Sequence, residues 1–173
     1  MIQDVAYRIA FVDLESSGLG SASYPTEIGW ATIQEGRILS GACLIKPTAR
    51  WLRPSTAWNS ASQRLTGITK EMLDRDGVAP GEAMRRLNEA LRDRIVLSDE
   101  PGFDAHWMFL LAEAADLPSI NLGDAKVIIN EAARGGRDFA KIAAEFPVRH
   151  RAEADARRLA MIYTRAVGID VIG

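Results

Sequence analysis

Apolar residues change their spacing along the chain, and each change marks an element. Residues 7 to 14 and 27 to 46 are rich in Ile, Val, Ala and Leu, and turn residues break them into three strands. Gly18, Gly20, Ser21, Ser23 and Pro25 form the first break. Glu35-Gly36 is a tight one, so the second and third strands read as a hairpin. The stretch from Pro47 to Asn59 carries two prolines and two tryptophans without a period, which predicts a loop packed on the core. From Ser60 the period becomes helical through SASQRLTG, TKEMLDRDG and APGEAMRRLNEALRD. Thr69 is a fitting N-cap, and Met84, Leu87 and Leu91 form an apolar stripe. RIVLSD returns to strand, Pro101-Gly102 turns the chain into the helix FDAHWMFLLAEAA, and AKVIIN reads as a further short strand. A final helix runs from about Arg149 to Val167. Strands, then helices, then strands alternating with helices predict an α/β fold with a mixed sheet. No linker or repeat interrupts the pattern, so residues 1–173 are expected to form one domain.

A chain of 173 residues with 47% hydrophobic and 25% charged residues has enough apolar material for a proper core. Its longest apolar runs fall far below the roughly 18 residues that cross a bilayer. The N-terminus has an early acid and no apolar signal segment, so a cytoplasmic protein with no membrane partner is expected. The single cysteine, Cys43, has no internal disulfide partner and sits in GACLI as an inert strand residue. A net charge of −2 argues against nonspecific duplex binding, which needs clustered cations. Arg134, Arg137, Lys141, Arg149, Arg151, Arg157 and Arg158 crowd the C-terminal third, where a solvated helix surface is the plainer reading.

Candidate chemistry resides in four acids and a histidine at the ends of regular elements. Asp13 and Glu15 close YRIAFVDLE, Asp104 opens its helix, and His150 and Asp155 lie in HRAEADARRLAMIY. Alternate positions put Asp13 and Glu15 on one side of a strand. Gathered at one point, four carboxylates repel one another and need cations to neutralise them. Taken singly, each has a bland reading: a strand end in solvent, a helix N-terminal acid, an exposed histidine between arginines. Trp58 and Trp107 read as core rather than as base-stacking platforms, and His106 points away from Asp104.

Taken together, the motifs resemble the DEDDh family of 3′-5′ exonucleases, which includes the proofreading subunit of bacterial replicative polymerase, oligoribonuclease and ribonuclease T. FVDLESSGL resembles the first motif through Asp13, Glu15, Ser16, Ser17, Gly18 and Leu19. LTGITKEML is similar to the family's His-Gly-Ile-Thr stretch, with Thr66 where His is common. GFDAHWMFL resembles the second motif, and HRAEADA the third through His150, Ala152, Asp155 and Ala156. One departure stands out. Relatives carry His-Asn shortly before Phe-Asp, and here the stretch is SDEPGFD, with Ser98, Asp99 and Glu100.

The resemblance implies a ribonuclease H-like fold, a mixed sheet flanked by helices. It also implies two divalent cations, Mg²⁺ or Mn²⁺, held by Asp13, Glu15, Asp104 and Asp155, with His150 taking the proton from an attacking water. Ser16, Ser17 and Leu19 would bind substrate, Leu19 against the terminal base. The implied partners are 3′ ends of single-stranded DNA or RNA, released as nucleoside 5′-monophosphates, with a homodimer or a polymerase as the protein partner left open. Two rivals are weaker. A haloacid-dehalogenase-like phosphatase needs a second Asp where Glu15 stands, and an inactive relative serving as a binding module has no reason to keep all five residues.

Overall fold

The computed structural model describes residues 8–53, 55, 57–133 and 138–171. Five strands, β1 (Ile9–Ser16), β2 (Pro25–Gln34), β3 (Arg37–Leu44), β4 (Ile95–Ser98) and β5 (Gly123–Asp124), form one sheet in the order β3-β2-β1-β4-β5. The first three are antiparallel neighbours, whereas β4 and β5 add in parallel, so the sheet is mixed as expected. Glu35 and Gly36 both have positive φ, 49° and 72°, the paired left-handed turn that suits the twist of a two-residue hairpin.

Strand periodicity sorts β1 between two cores. Ala10, Val12 and Leu14 pack on one face with Met84, Leu87, Met108 and Leu111, which belong to α3 (Pro80–Ala90) and α4 (Pro101–Ala115). Ile9 and Phe11 face the other way, toward Leu159, Ala160 and Tyr163 of the last helix, α7 (Ala152–Val167). Phe11 and Tyr163 lie 5.7 Å apart between ring centroids. Asp13 and Glu15 continue the Ile9–Phe11 row, so the pleat that builds the core also carries both acids to one end of the α7 face.

Between β3 and α3 come α1 (Ser60–Thr66) and α2 (Lys70–Asp76). Thr69 caps α2 as expected, its hydroxyl accepting from Met72 N at 3.2 Å. The loop before α1 packs on the core through buried Trp51 and Ala57; Pro54 and Thr56 lie outside the described residues.

AKVIIN is not a strand. It opens α5 (Ala125–Ala132), and the strand is the dipeptide just before it. Asp124 caps the helix, accepting from Lys126 N at 2.8 Å and Val127 N at 3.2 Å. Ala125 and Ile129, four apart, are buried while Val127 is exposed, a helical face that outweighs the strand preference of the β-branched run. After α5 comes the short α6 (Phe139–Ala143), capped by Asp138. The last helix begins at Ala152 rather than Arg149, which leaves His150 outside it.

Candidate active site

The C-terminal ends of β1, β4 and β5 point to one side of the sheet, where the N-termini of α4 and α7 also arrive. Open α/β sheets bind ligands at such an end. The cleft there has a volume of about 570 Å³, and Asp13, Glu15, Asp104, His150 and Asp155 all line it. Ligand atoms of Glu15, His150 and Asp155 lie within 4.8 Å of one another, close enough to share one ion.

Each acid is placed by a local device. A β-bulge between Glu15 and Ser16 shifts the register of β1 against β2, so the strand bends just after its second carboxylate and ends at Ser16. Asp104 sits in the first turn of α4, buried, and accepts the hydroxyl hydrogen of Ser98. Asp155 lies in the first turn of α7, and its two oxygens accept from Arg149 N at 2.8 Å and Arg151 N at 3.3 Å. His150 stands between those two amides with φ 55°, a left-handed conformation uncommon outside glycine, though His, Asn and Asp adopt it more often than other residues. Both amides flanking His150 are tied to Asp155. Gly29 of β2 makes the approach of α7 possible, because a Cβ there would lie 2.2 Å from the carbonyl carbon of Ala152.

Burial and mutual repulsion dominate the electrostatics. Asp13 is pushed well above the usual carboxylate range, first by burial and then by the charges of Asp104, Glu15, Asp155 and Asp99. Glu15 is raised to about 7 by burial, then by Asp155, Glu27 and Asp104, with Arg151 opposing. Burial raises Asp104 to about 7 against the hydrogen bond from Ser98. Oδ2 of Asp13 is buried without a hydrogen-bond partner. A buried, unpartnered carboxylate oxygen among like charges is a costly arrangement unless a cation sits beside it. Hard oxygen donors with one imidazole suit Mg²⁺ or Mn²⁺. The residues present therefore fit a divalent-metal centre.

The three substrate residues expected from the sequence divide. Leu19 is 76% exposed at the cleft mouth, and Ser16 lines the cleft while its hydroxyl donates to Gly18 O at 2.7 Å. Ser17 is buried instead. Its hydroxyl donates to Ala57 O and accepts from Tyr24 N, pinning the loop after β1 to the core. Asp99 and Arg158 both line the cleft and pair at 3.6 Å; Arg158 was read from the sequence as solvated surface, yet only 12% of its side chain is exposed. Glu100 pairs outward with Lys126. Leu65, Phe103, Trp107 and Val148 supply apolar walls. Trp107 is thus core and wall at once, 6% exposed with its Nε1 donating to Ser23 Oγ at 3.0 Å. Of the basic cluster, Arg134 and Arg137 lie outside the described residues.

Residues 10–163 match the model of the RNase T exonuclease family, and the chain belongs to that family. No curated protein sequence matches it. Among solved structures, the E. coli ExoI–ssDNA complex in its zinc-bound form is similar at 15% identity and a TM-score of 0.67, covering 89% of this chain and 39% of that one. Exonuclease I from Methylocaldum szegediense is similar at 16% identity and a TM-score of 0.65, covering 91% and 40%. A 3′-exonuclease described in 3′-end-specific recognition of a histone mRNA stem-loop reaches a TM-score of 0.70 at 13% identity, covering 94% and 83%. The fold is therefore the ribonuclease H-like exonuclease fold, and the chain spans about two fifths of the exonuclease I chains. Among the described residues, no helix is long and apolar enough to cross a membrane.

Proposed function

We propose that this chain is a divalent-metal-dependent 3′-5′ exonuclease acting on single-stranded nucleic acid and releasing nucleoside 5′-monophosphates. The observation that carries it is the convergence of Asp13, Glu15, Asp104, Asp155 and His150 on one cleft, with Oδ2 of Asp13 buried and unpartnered. Asp13, Glu15, Asp104 and Asp155 would hold two cations, Mg²⁺ or Mn²⁺. When bound, these ions would supply the positive charge that draws a phosphodiester into an acidic cleft and activate the attacking water.

The remaining work falls to the chain itself. His150 accepts the proton of the attacking water, a role open to an imidazole because its charge changes near neutral pH. Leu19, Leu65 and Phe103 are each at least half exposed at the cleft, and offer apolar contact to the terminal base. Ser16 contributes at the start of the loop that carries Leu19, and Ser17 locks that loop to the core. Residues 1–173 act as one exonuclease domain, in the cytoplasm. DNA and RNA both have precedent, since the similar structures include an ssDNA complex and a histone mRNA exonuclease.

Degradation of 3′-labelled and 5′-labelled single-stranded DNA and RNA, with Mg²⁺, Mn²⁺ or chelator, tests the reading. The expected outcome is metal-dependent loss of the 3′ label as a mononucleotide. A 5′ label released first, or turnover indifferent to chelator, would overturn it.

A further inference from the structure

Glu27 of β2 is the direct cross-strand partner of Glu15 on β1. Like charges in that relation repel, and Glu27 is only 3% exposed, so its carboxylate needs partners. Among the described residues, its partners come from the start of α7. Arg151 donates from Nη2 at 2.6 Å and from Nε at 3.0 Å, and Ala152 N donates at 2.9 Å. The N-cap residue of α7 makes no side-chain cap bond of its own. A residue 125 positions away in the chain performs that duty. The bidentate fork also fixes the direction of Arg151, which a single ammonium contact would leave free.

The same short segment, residues 149–152, carries the candidate general base. Arg149 N and Arg151 N are held from inside the helix by Asp155, while Arg151 and Ala152 are held from the sheet by Glu27. His150 lies between, in its left-handed conformation. We propose that Glu27 is a positioning residue: through Arg151 and the first amide of α7 it holds His150 and Asp155 in register with Glu15. The inference rests on the hydrolytic reading above. Glu27 does not touch substrate or reacting atoms. It sets where the groups that do will stand.

The chain has two histidines, His150 and the exposed His106 on α4, so histidine-ring NMR of the full chain in chelator carries its own control. In Glu27→Gln and in Arg151→Ala, the His150 ring signal should move and broaden while that of His106 stays in place. Mn²⁺ titration followed by electron paramagnetic resonance should show affinity weakened by about 10–100-fold, with a comparable drop in kcat and a smaller change in KM. Charge alone would weaken Mn²⁺ binding in Glu27→Gln and strengthen it in Arg151→Ala, so affinity shifts of opposite sign with an unmoved His150 signal overturn positioning. Wild-type histidine signals with wild-type Mn²⁺ affinity overturn it as well. If both histidine signals collapse, Glu27 holds the fold and not the site, which also sinks the proposal. A wild type that neither binds Mn²⁺ nor cleaves would instead defeat the hydrolytic reading.

Discussion

The sheet side and the helix side of the cleft hold their carboxylates in opposite ways. On the sheet side, Asp13 is half-buried, surrounded by like charge and left with one buried oxygen that has no partner. On the helix side, Asp155 is buried, but both its oxygens receive backbone N–H groups. One acid stands in an unrelieved electrostatic conflict; the other is already satisfied and organises the loop around it. Removing a charge should therefore stabilise the cation-free protein on one side and destabilise it on the other.

The largest effects test that contrast directly. Asp13→Asn and Asp155→Asn should each reduce exonuclease turnover to background. Their melting in chelator should diverge. Asp13→Asn should melt higher, since a gain of about 1 kcal/mol moves the midpoint by about 2–4 °C in a chain of this size. Asp155→Asn places an amide donor against a backbone donor and should cost about 1–3 kcal/mol. Equal shifts of the same sign in calorimetry would dissolve the distinction.

His150→Ala should lower turnover by about two to four orders of magnitude, the usual share of a positioned proton acceptor, while Mn²⁺ still raises the melting temperature. Measured rate against pH at saturating Mn²⁺ should lose its acid limb in the variant. An unchanged limb and rate would remove His150 from the reaction.

A third effect follows from the raised carboxylates. The folded form of Asp13, Glu15 and Asp104 binds protons more tightly than the unfolded chain does. Their contribution to stability is thus fully present below the unfolded carboxylate range and is lost as pH rises toward about 7, the folded value of Glu15 and Asp104. In chelator, the melting temperature should fall between pH 5 and pH 8, and millimolar Mn²⁺ should reverse the trend by replacing protons in the cluster. A chelator profile that rises over that interval would contradict the sheet-side conflict.

The smallest effect concerns His150's backbone. Glycine accepts φ 55° without the Cβ penalty, so His150→Gly should be more stable than His150→Ala by about 1 kcal/mol, with both equally inactive. Paired denaturant titrations resolve such a difference.

The five candidate residues that line the cleft could be singled out because each falls near the end of a periodic segment, and period alone placed Asp13 and Glu15 on one face. Asp99, Arg158 and Glu27 were not legible as parts of one neighbourhood. Arg158 reads as surface because a helix sequence does not reveal that a neighbouring carbonyl, Phe146 O, and an acid from β4's end will enclose it. Glu27 looks like an ordinary polar position in an alternating strand, and its meaning comes only from a partner near the other end of the chain. AKVIIN misled because β-branched residues suit either state, and the cap at Asp124 decides the matter. Ser17 matched a motif yet spends its hydroxyl on the scaffold, a choice made by the depth of its burial.

Gly29 has a mechanical consequence. The sixteen-residue α7 is roughly 24 Å long at the usual rise per residue, and its second half is anchored by Tyr163 against Phe11. A single methyl group at position 29 would wedge the N-terminal end of that lever outward against the Glu27 contacts that hold it, and the pivot would lie toward the helix's far end. Nearly all the displacement would appear at Asp155 and His150 and very little in the core. The hydrogen atom of Gly29 therefore acts as a spacer gauge for the cleft. Among substitutions that leave every acid and the histidine in place, Gly29→Ala should open the distance between the two sides of the site most directly.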